Sequence, residues 1–205
     1  MMNDKDSLVE FWGGYTSLAT LVRGQAEKTP NQLALVARSA NGHEERLTYS
    51  QLVWQGEKFA RALMEIGAKE GDHIGVLLDN KSAYEAIMTL LACTFGGMVC
   101  VPVNARFAQE EILHAVTLAD TRILICGQAT LSRVRDIRPD AFILENVVLV
   151  GDEVTEDTLS WRELFNKAKV VDVDWPERGL DDISEILFTS GTTSRPKAAL
   201  MSNRS

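Results

Sequence analysis

The chain has 205 residues and a mass of 22.7 kDa, which at about 100–200 residues per domain gives one large domain or one and a half. Hydrophobic residues make up 45% of it and charged residues 24%, and this balance excludes a disordered chain, a collagen and a disulfide scaffold. The 21 Lys and Arg residues against 29 Asp and Glu residues give a net charge of −8, so the chain should repel a nucleic-acid backbone.

The first segment predicts a helix followed by a β-hairpin. Residues 17–28 have a weak helical pattern that stops before Pro30, since the residue before a proline disfavours helix. Residues 33–37 are apolar and predict a short strand. The Asn-Gly turn signal at 41–42 and the run 46–49 complete the hairpin.

A stronger helix follows the hairpin. Thr48 and Gln51 have the spacing of a capping box, in which each side chain satisfies a free backbone donor. Apolar residues then recur at steps of four and three, which places them on one helix face: Leu52, Gly56, Phe59, Leu63 and Ile66. Gly67 is a typical helix end.

The middle of the chain alternates between apolar strands and helices. The predicted strands are 73–78, 98–103 and 122–126, and the predicted helices are 82–95 and 108–119. Residues 142–150 predict one more strand or two short ones. Apolar strands that are separated by helices predict a doubly wound, mostly parallel α/β sheet with helices on both faces.

Residues 86–105 carry no charge and are long enough to span a bilayer. Gly96-Gly97 and Pro102 interrupt them, which favours a buried helix and a buried strand over an integral membrane segment.

The cysteines and histidines are interpreted as packing or surface residues. Cys93, Cys100 and Cys126 have apolar neighbours and no zinc-knuckle or CxxC spacing, which predicts reduced core thiols in a cytoplasmic protein. The three histidines have no partner at ligand or triad spacing: His43, His73 and His114.

Residues 151–183 are rich in Asp and Glu. We interpret them as a solvated acidic connector around one short helix at 161–168. Carboxylates this scattered do not predict a metal site, because a hard cation needs several oxygens that converge on one point.

The candidate site lies at the end of the sequence. Residues 184–188 predict a strand that leads into a loop of five hydroxyl residues and one glycine: Thr189, Ser190, Gly191, Thr192, Thr193 and Ser194. Such a loop can turn backbone N–H and hydroxyl groups inward around the oxygens of an anion. Lys197 adds a positive charge, and Pro196 stiffens the backbone that holds it. The six loop residues and Lys197 therefore predict a polyphosphate-binding site.

On composition alone, an ordinary surface turn explains this loop equally well, because Ser, Thr, Gly and Pro are frequent in turns. A Walker loop is disfavoured, since it needs glycine directly before the lysine and Ser or Thr directly after it. Pro196 and Ala198 stand at those positions, so a P-loop NTPase would lack its Mg²⁺-binding hydroxyl.

The segment Phe188-Thr189-Ser190-Gly191-Thr192-Thr193-Ser194-Arg195-Pro196-Lys197 resembles the phosphate-loop signature of the adenylate-forming superfamily. That superfamily includes acyl-CoA synthetases, 4-coumarate-CoA ligases, luciferases and the adenylation domains of peptide synthetases. Residues 47–52, 71–80 and 96–104 resemble further family blocks in the same order. Thr192-Thr193 and residues 103–106 are more similar to acyl-CoA synthetases than to peptide-synthetase domains.

The resemblance implies a two-step ligase reaction. ATP and a small carboxylic acid give an acyl-adenylate and pyrophosphate, and the thiol of coenzyme A then displaces AMP. The loop and Lys197 would hold the β- and γ-phosphates, with Mg²⁺ bridging phosphate oxygens. We also expect residues 1–178 to form an N-terminal α/β subdomain with the hairpin near 33–49, and residues 179–205 to begin a second subdomain.

Three positions depart from the family pattern. Glycine is usual where Ser194 and Ala198 stand, and glycine lets the backbone approach phosphate closely or take a positive φ. Asn203 stands where a histidine is common. Beyond Lys197 we expect the start of a helix that supports the loop.

Family members continue well past this loop, so the chain is expected to be an N-terminal portion that binds ATP weakly and does not turn over. The alternative is a non-catalytic remnant that serves as a folding or interaction module. Adenylation motifs in the reading frame beyond Ser205 would favour the truncated enzyme, and a stop codon would favour the remnant.

Overall fold

The computed structural model describes residues 9–10, 13–38, 44–169, 173–189 and 195–205. The helices of this part are α1 (Leu18–Lys28), α2 (Tyr49–Glu65), α3 (Ala83–Gly96), α4 (Gln109–Leu118), α5 (Leu131–Ile137) and α6 (Trp161–Lys167). Its strands are β1 (Leu33–Arg38), β2 (Glu44–Thr48), β3 (His73–Leu77), β4 (Val99–Pro102), β5 (Thr121–Gly127), β6 (Asn146–Val150), β7 (Leu159–Ser160), β8 (Ile183–Thr189) and β9 (Lys197–Ser202).

A seven-stranded sheet forms the centre of the molecule, in the order β7-β6-β5-β3-β4-β8-β9. Its neighbouring strands are parallel except for β8 and β9, which are antiparallel. The chain moves from β3 to β4 on one side and then crosses back to β5 on the other side of β3. The doubly wound, mostly parallel α/β fold that the sequence predicts is confirmed.

Helices cover the sheet on both faces and create two cores. The side chains of β5 show the division, because successive residues of a strand point to opposite faces. Ile123 and Ile125 pack with α2 and α3, whereas Leu124 and Cys126 pack with α4 and α5. A strand that is buried on both faces must be apolar at consecutive positions, as this one is.

The capping box predicted at the start of α2 is confirmed. The Gln51 amide N–H donates to Thr48 Oγ1 at 3.4 Å, and the Thr48 N–H donates to Gln51 Oε1 at 2.9 Å. Gly97 caps the carboxyl end of α3 with a φ of 70°, a left-handed conformation that glycine adopts without a steric penalty. The uncharged segment is therefore a buried helix followed by the buried strand β4, as predicted.

No helix in the described ranges is both long enough and apolar enough to cross a membrane. The cysteines pack in the cores as expected: all three are buried and free of disulfides. Burial raises the pKa of Cys126 to about 12, so its thiol stays protonated and unreactive at neutral pH. His43 lies outside the described residues.

The structure corrects two expectations and adds one helix. The predicted helix after Lys197 is wrong, because residues 197–202 form β9 and pair with β8. The strand placed at 142–150 begins only at Asn146, and Phe142 is 91% exposed. Helix α5 was not predicted. Both β8 and β9 extend the same sheet, and the division into two subdomains after residue 178 stays a prediction.

We expect Phe59→Ala to destabilise the fold by about 3–5 kcal/mol, because a fully buried ring leaves a cavity when it is removed. Phe59 is 0% exposed, and its ring centroid lies 4.9 Å from that of Trp161. Phe142→Ala is the matched control and should change the free energy of unfolding by less than about 0.5 kcal/mol. Urea denaturation measures both, and similar losses in the two variants would contradict this placement of the core.

Candidate functional site

The structure brings the two ends of the hydroxyl-rich loop together. β8 ends at Thr189, β9 begins at Lys197, and these two residues are paired across the antiparallel strands. The Thr189 hydroxyl donates a weak hydrogen bond to the Lys197 carbonyl at 3.5 Å. Five of the predicted site residues, Ser190 to Ser194, lie outside the described residues. The described ends place the loop at the carboxyl end of β8.

Residues 195–197, the loop arm, lead into β9 and alternate between exposed and buried positions. Arg195 and Lys197 are exposed, whereas Pro196 between them is buried. His114 on α4 contacts this arm, with its Nε2 2.9 Å from the Pro196 carbonyl oxygen. The sequence pattern indicated a surface or packing role for His114 and no link to the loop, because His114 and Pro196 are 82 positions apart.

A cavity of about 530 Å³ opens at the carboxyl ends of β3 and β4. Residues 78–81 after β3 and residues 103–106 after β4 line it. The next helix after β3 packs on one face of the sheet and the next helix after β4 packs on the other. The two segments therefore separate and leave a crevice, which is where open α/β sheets bind their ligands. This crevice was not predicted from the sequence.

Hydrogen bonds hold both walls of the crevice. Asp79 accepts from the Lys81 N–H at 2.9 Å, and Asn104 Oδ1 accepts from the Arg106 N–H at 2.9 Å. Arg133 on α5 donates to the carbonyls of Ala105 and Phe107, the first at 2.9 Å. The guanidinium group thus bridges two carbonyls of the same loop and restrains its backbone.

The carboxyl edge of β3, β4 and β8 is locally cationic although the chain carries −8. The segments that follow these three adjacent strands carry one half-buried carboxylate, that of Asp79, and four exposed cations: Lys81, Arg106, Arg195 and Lys197. Within the described ranges, none of the four forms an ion pair with a carboxylate. Arg204, by contrast, is paired with Asp181. Unpaired cations at one edge attract an anionic ligand.

The described residues do not supply a metal site. No group of three or more His, Cys, Asp or Glu side chains that could hold a metal lies among them. The Mg²⁺ expected from the resemblance therefore remains a prediction.

The structure describes two of the three positions that depart from the family pattern, Ala198 and Asn203. Ala198 lies within β9, opposite Phe188, and in the described ranges only Asp120 among non-glycine residues has a positive φ. The conformational freedom of glycine is thus not required at Ala198. Asn203 donates from Nδ2 to the Gly179 carbonyl at 2.8 Å, so it holds the turn that precedes β8. Ser194 lies outside the described residues.

Comparisons with known proteins agree on one family. The family model described as AMP-binding enzyme matches residues 22–205. The crotonobetaine/carnitine–CoA ligase of Citrobacter koseri is 29% identical over 185 residues, which cover 87% of this chain and 35% of the relative. The chain thus spans about a third of the length of the curated relatives it matches.

Solved structures share the fold. A crystal structure of the anthranilate CoA ligase AuaEII in complex with anthranoyl-AMP has a TM-score of 0.81 at 20% identity, covering 93% of this chain and 35% of that chain. A Brucella canis acyl-CoA synthetase has a TM-score of 0.81 at 19% identity, covering 99% of this chain and 37% of that chain.

We expect Arg133→Lys to loosen the crevice wall, because an ammonium group cannot bridge two carbonyls as a planar guanidinium does. Hydrogen exchange at the Arg106 and Phe107 amides should accelerate about three- to tenfold, as expected for the loss of one hydrogen bond. Arg138→Lys is the control, since Arg138 is also half-buried and also donates to a carbonyl, that of Glu145, away from the crevice. Equal exchange in the wild type and Arg133→Lys would show that Arg133 does not restrain this wall.

Proposed function

The chain belongs to the AMP-binding enzyme family, and on that premise we propose that it is the N-terminal portion of an ATP-dependent carboxylate–CoA ligase. The proposed reaction joins a carboxylic acid to AMP, releases pyrophosphate, and then transfers the acyl group to the thiol of coenzyme A. The observation that carries the proposal is the placement of Lys197 opposite Thr189, where the two ends of the loop meet. Lys197 is exposed and forms no ion pair within the described ranges.

The proposed task of the loop is to hold the β- and γ-phosphates of ATP. Charge accumulates on the departing pyrophosphate as the carboxylate attacks the α-phosphorus. Donors that already point at this charge stabilise it without reorganisation of solvent. The hydroxyls of Thr189, Ser190, Thr192, Thr193 and Ser194 and the ammonium group of Lys197 are the donors we assign to this role, together with backbone N–H groups such as that of Gly191.

The wider cationic edge supports the same assignment. Both ATP and coenzyme A are polyanions, and an acidic chain repels them unless a local patch reverses the sign of the field. Lys81, Arg106 and Arg195 provide such a patch on the segments after three adjacent strands. This patch supports the binding of anionic substrates in general and does not distinguish between the two.

The acid is proposed only as a class. The relatives are named for crotonobetaine or carnitine and for anthranilate, which share a carboxylate and little else. No described cavity of this chain distinguishes between such acids, so the proposed substrate is a small carboxylic acid. Mg²⁺ is proposed as the accompanying ion on general grounds, because it neutralises phosphate oxygens.

We expect Lys197→Ala to weaken ATP binding to the chain about tenfold or more, since a charge-assisted hydrogen bond to phosphate is lost. Lys167→Ala is the matched control: it removes the same charge from an exposed helix position, where Lys167 pairs with Glu163 at 2.7 Å. Isothermal titration at low salt measures both affinities, and thermal unfolding should give nearly unchanged melting temperatures. Equal affinity in the two variants would move the phosphate contact away from Lys197.

We expect the chain alone to bind ATP weakly and to show no ATP–pyrophosphate exchange with a panel of carboxylates. It spans about a third of its curated relatives, so much of what a whole ligase uses for adenylation is outside it. Exchange well above background would show that these residues suffice for adenylation. In a version extended by the remaining two-thirds of a relative, Lys197→Ala should reduce exchange by orders of magnitude.

A further inference from the structure

One contact joins the helix layer to the loop arm. His114 lies near the middle of α4, is half-buried, and reaches the Pro196 carbonyl with Nε2 at 2.9 Å. A carbonyl oxygen only accepts hydrogen bonds, so Nε2 carries the proton and donates it. The direction of the bond therefore fixes which ring nitrogen is protonated.

The position of this bond gives it more than a packing role. The Pro196 carbonyl and the Lys197 nitrogen belong to one planar peptide group. A donor that holds the carbonyl therefore also fixes the orientation of the peptide plane that contains the Lys197 nitrogen. The proline ring also restricts the φ of Pro196, which precedes this peptide group. Rotation of the Pro196–Lys197 peptide is therefore limited.

Strand pairing supports this end of the arm from one side only. Within the described ranges, β9 is the edge strand and pairs only with β8. Lys197, the first residue of β9, is paired with Thr189 across the strands. The hydrogen bond from the Thr189 hydroxyl to the Lys197 carbonyl is long, at 3.5 Å. Arg195 and Lys197 are both exposed, whereas Pro196 is buried. His114 thus supplies the short bond from the helix layer to the peptide next to Lys197.

We propose that His114 is a positioning residue for phosphate binding: its Nε2–H holds the Pro196–Lys197 peptide so that the Lys197 ammonium faces the polyphosphate. The proposal rests on the proposed function, since it assumes that the loop binds ATP. His114 itself does not touch the nucleotide, and it acts only through the orientation of the peptide.

The experiment compares His114→Leu, which removes the donor, with His114→Gln, whose amide nitrogen can donate from a similar distance along the side chain. ATP is titrated into the chain, and binding is followed at the Lys197 amide by NMR. We expect His114→Leu to weaken ATP binding about three- to tenfold, the effect of one lost hydrogen bond, and His114→Gln to restore most of the affinity. Before ATP is added, His114→Leu should also accelerate hydrogen exchange at the Lys197 amide.

His73 offers a matched control. Its ring nitrogen Nδ1 also forms a hydrogen bond with a backbone carbonyl, that of Ala119. His73 is the first residue of β3 and so lies at the amino end of the parallel strands, away from the loop. His73→Leu should lower stability to a similar degree and leave ATP affinity unchanged.

Two failures are distinguishable. A wild-type chain with no ATP response would refute phosphate binding and the role of His114 together. A wild-type response with equal affinity in His114→Leu would refute only the positioning role, as would a similar loss of affinity in His73→Leu.

Discussion

The architecture depends on the double pairing of β3. This strand pairs with β4 on one side and β5 on the other, and the chain reaches its partners by helices on opposite faces. The segments that leave β3 and β4 must therefore diverge, and a crevice opens where they separate. β8 then adds to β4 in parallel, which places the end of β8, and with it the hydroxyl-rich loop, at the same edge. The double pairing of β3 thus determines where the candidate site residues meet.

Local signals of the sequence predicted most elements of this fold. The capping box at Thr48 and Gln51 and the glycine after α3 each act within a few residues, so they can be read without tertiary information. The consecutive apolar residues of β5 predicted burial on both faces for the same reason. Helix α5 was missed because its seven residues include three that are charged, Arg133, Arg135 and Asp136, and its apolar face becomes evident only against the sheet.

The start of β9 shows where such reasoning ends. Lys197-Ala198-Ala199-Leu200 has the composition of a helix, since Ala, Leu and Lys all favour helix. Pairing with β8 overrides that preference, because a weak local propensity yields to a row of backbone hydrogen bonds. The contact between His114 and Pro196 was equally inaccessible, as it joins residues 82 positions apart through the order of the strands. The residue types of the candidate site come from the sequence and stay a prediction, whereas the neighbours that contact its described ends could not be predicted.

The strand at this position has a chemical consequence. In the first turn of a helix, the backbone of Lys197 would be less restrained, because terminal turns fray. In β9, by contrast, its backbone is paired with Thr189, and the preceding peptide is held by His114. A lysine side chain is long and loses considerable rotamer entropy when it is fixed, so a restrained backbone reduces the disorder that remains to be removed when an anion binds. Under the proposed function, preorganised donors act on developing charge without reorganisation, and the antiparallel pairing of β8 and β9 would supply the backbone part of that preorganisation.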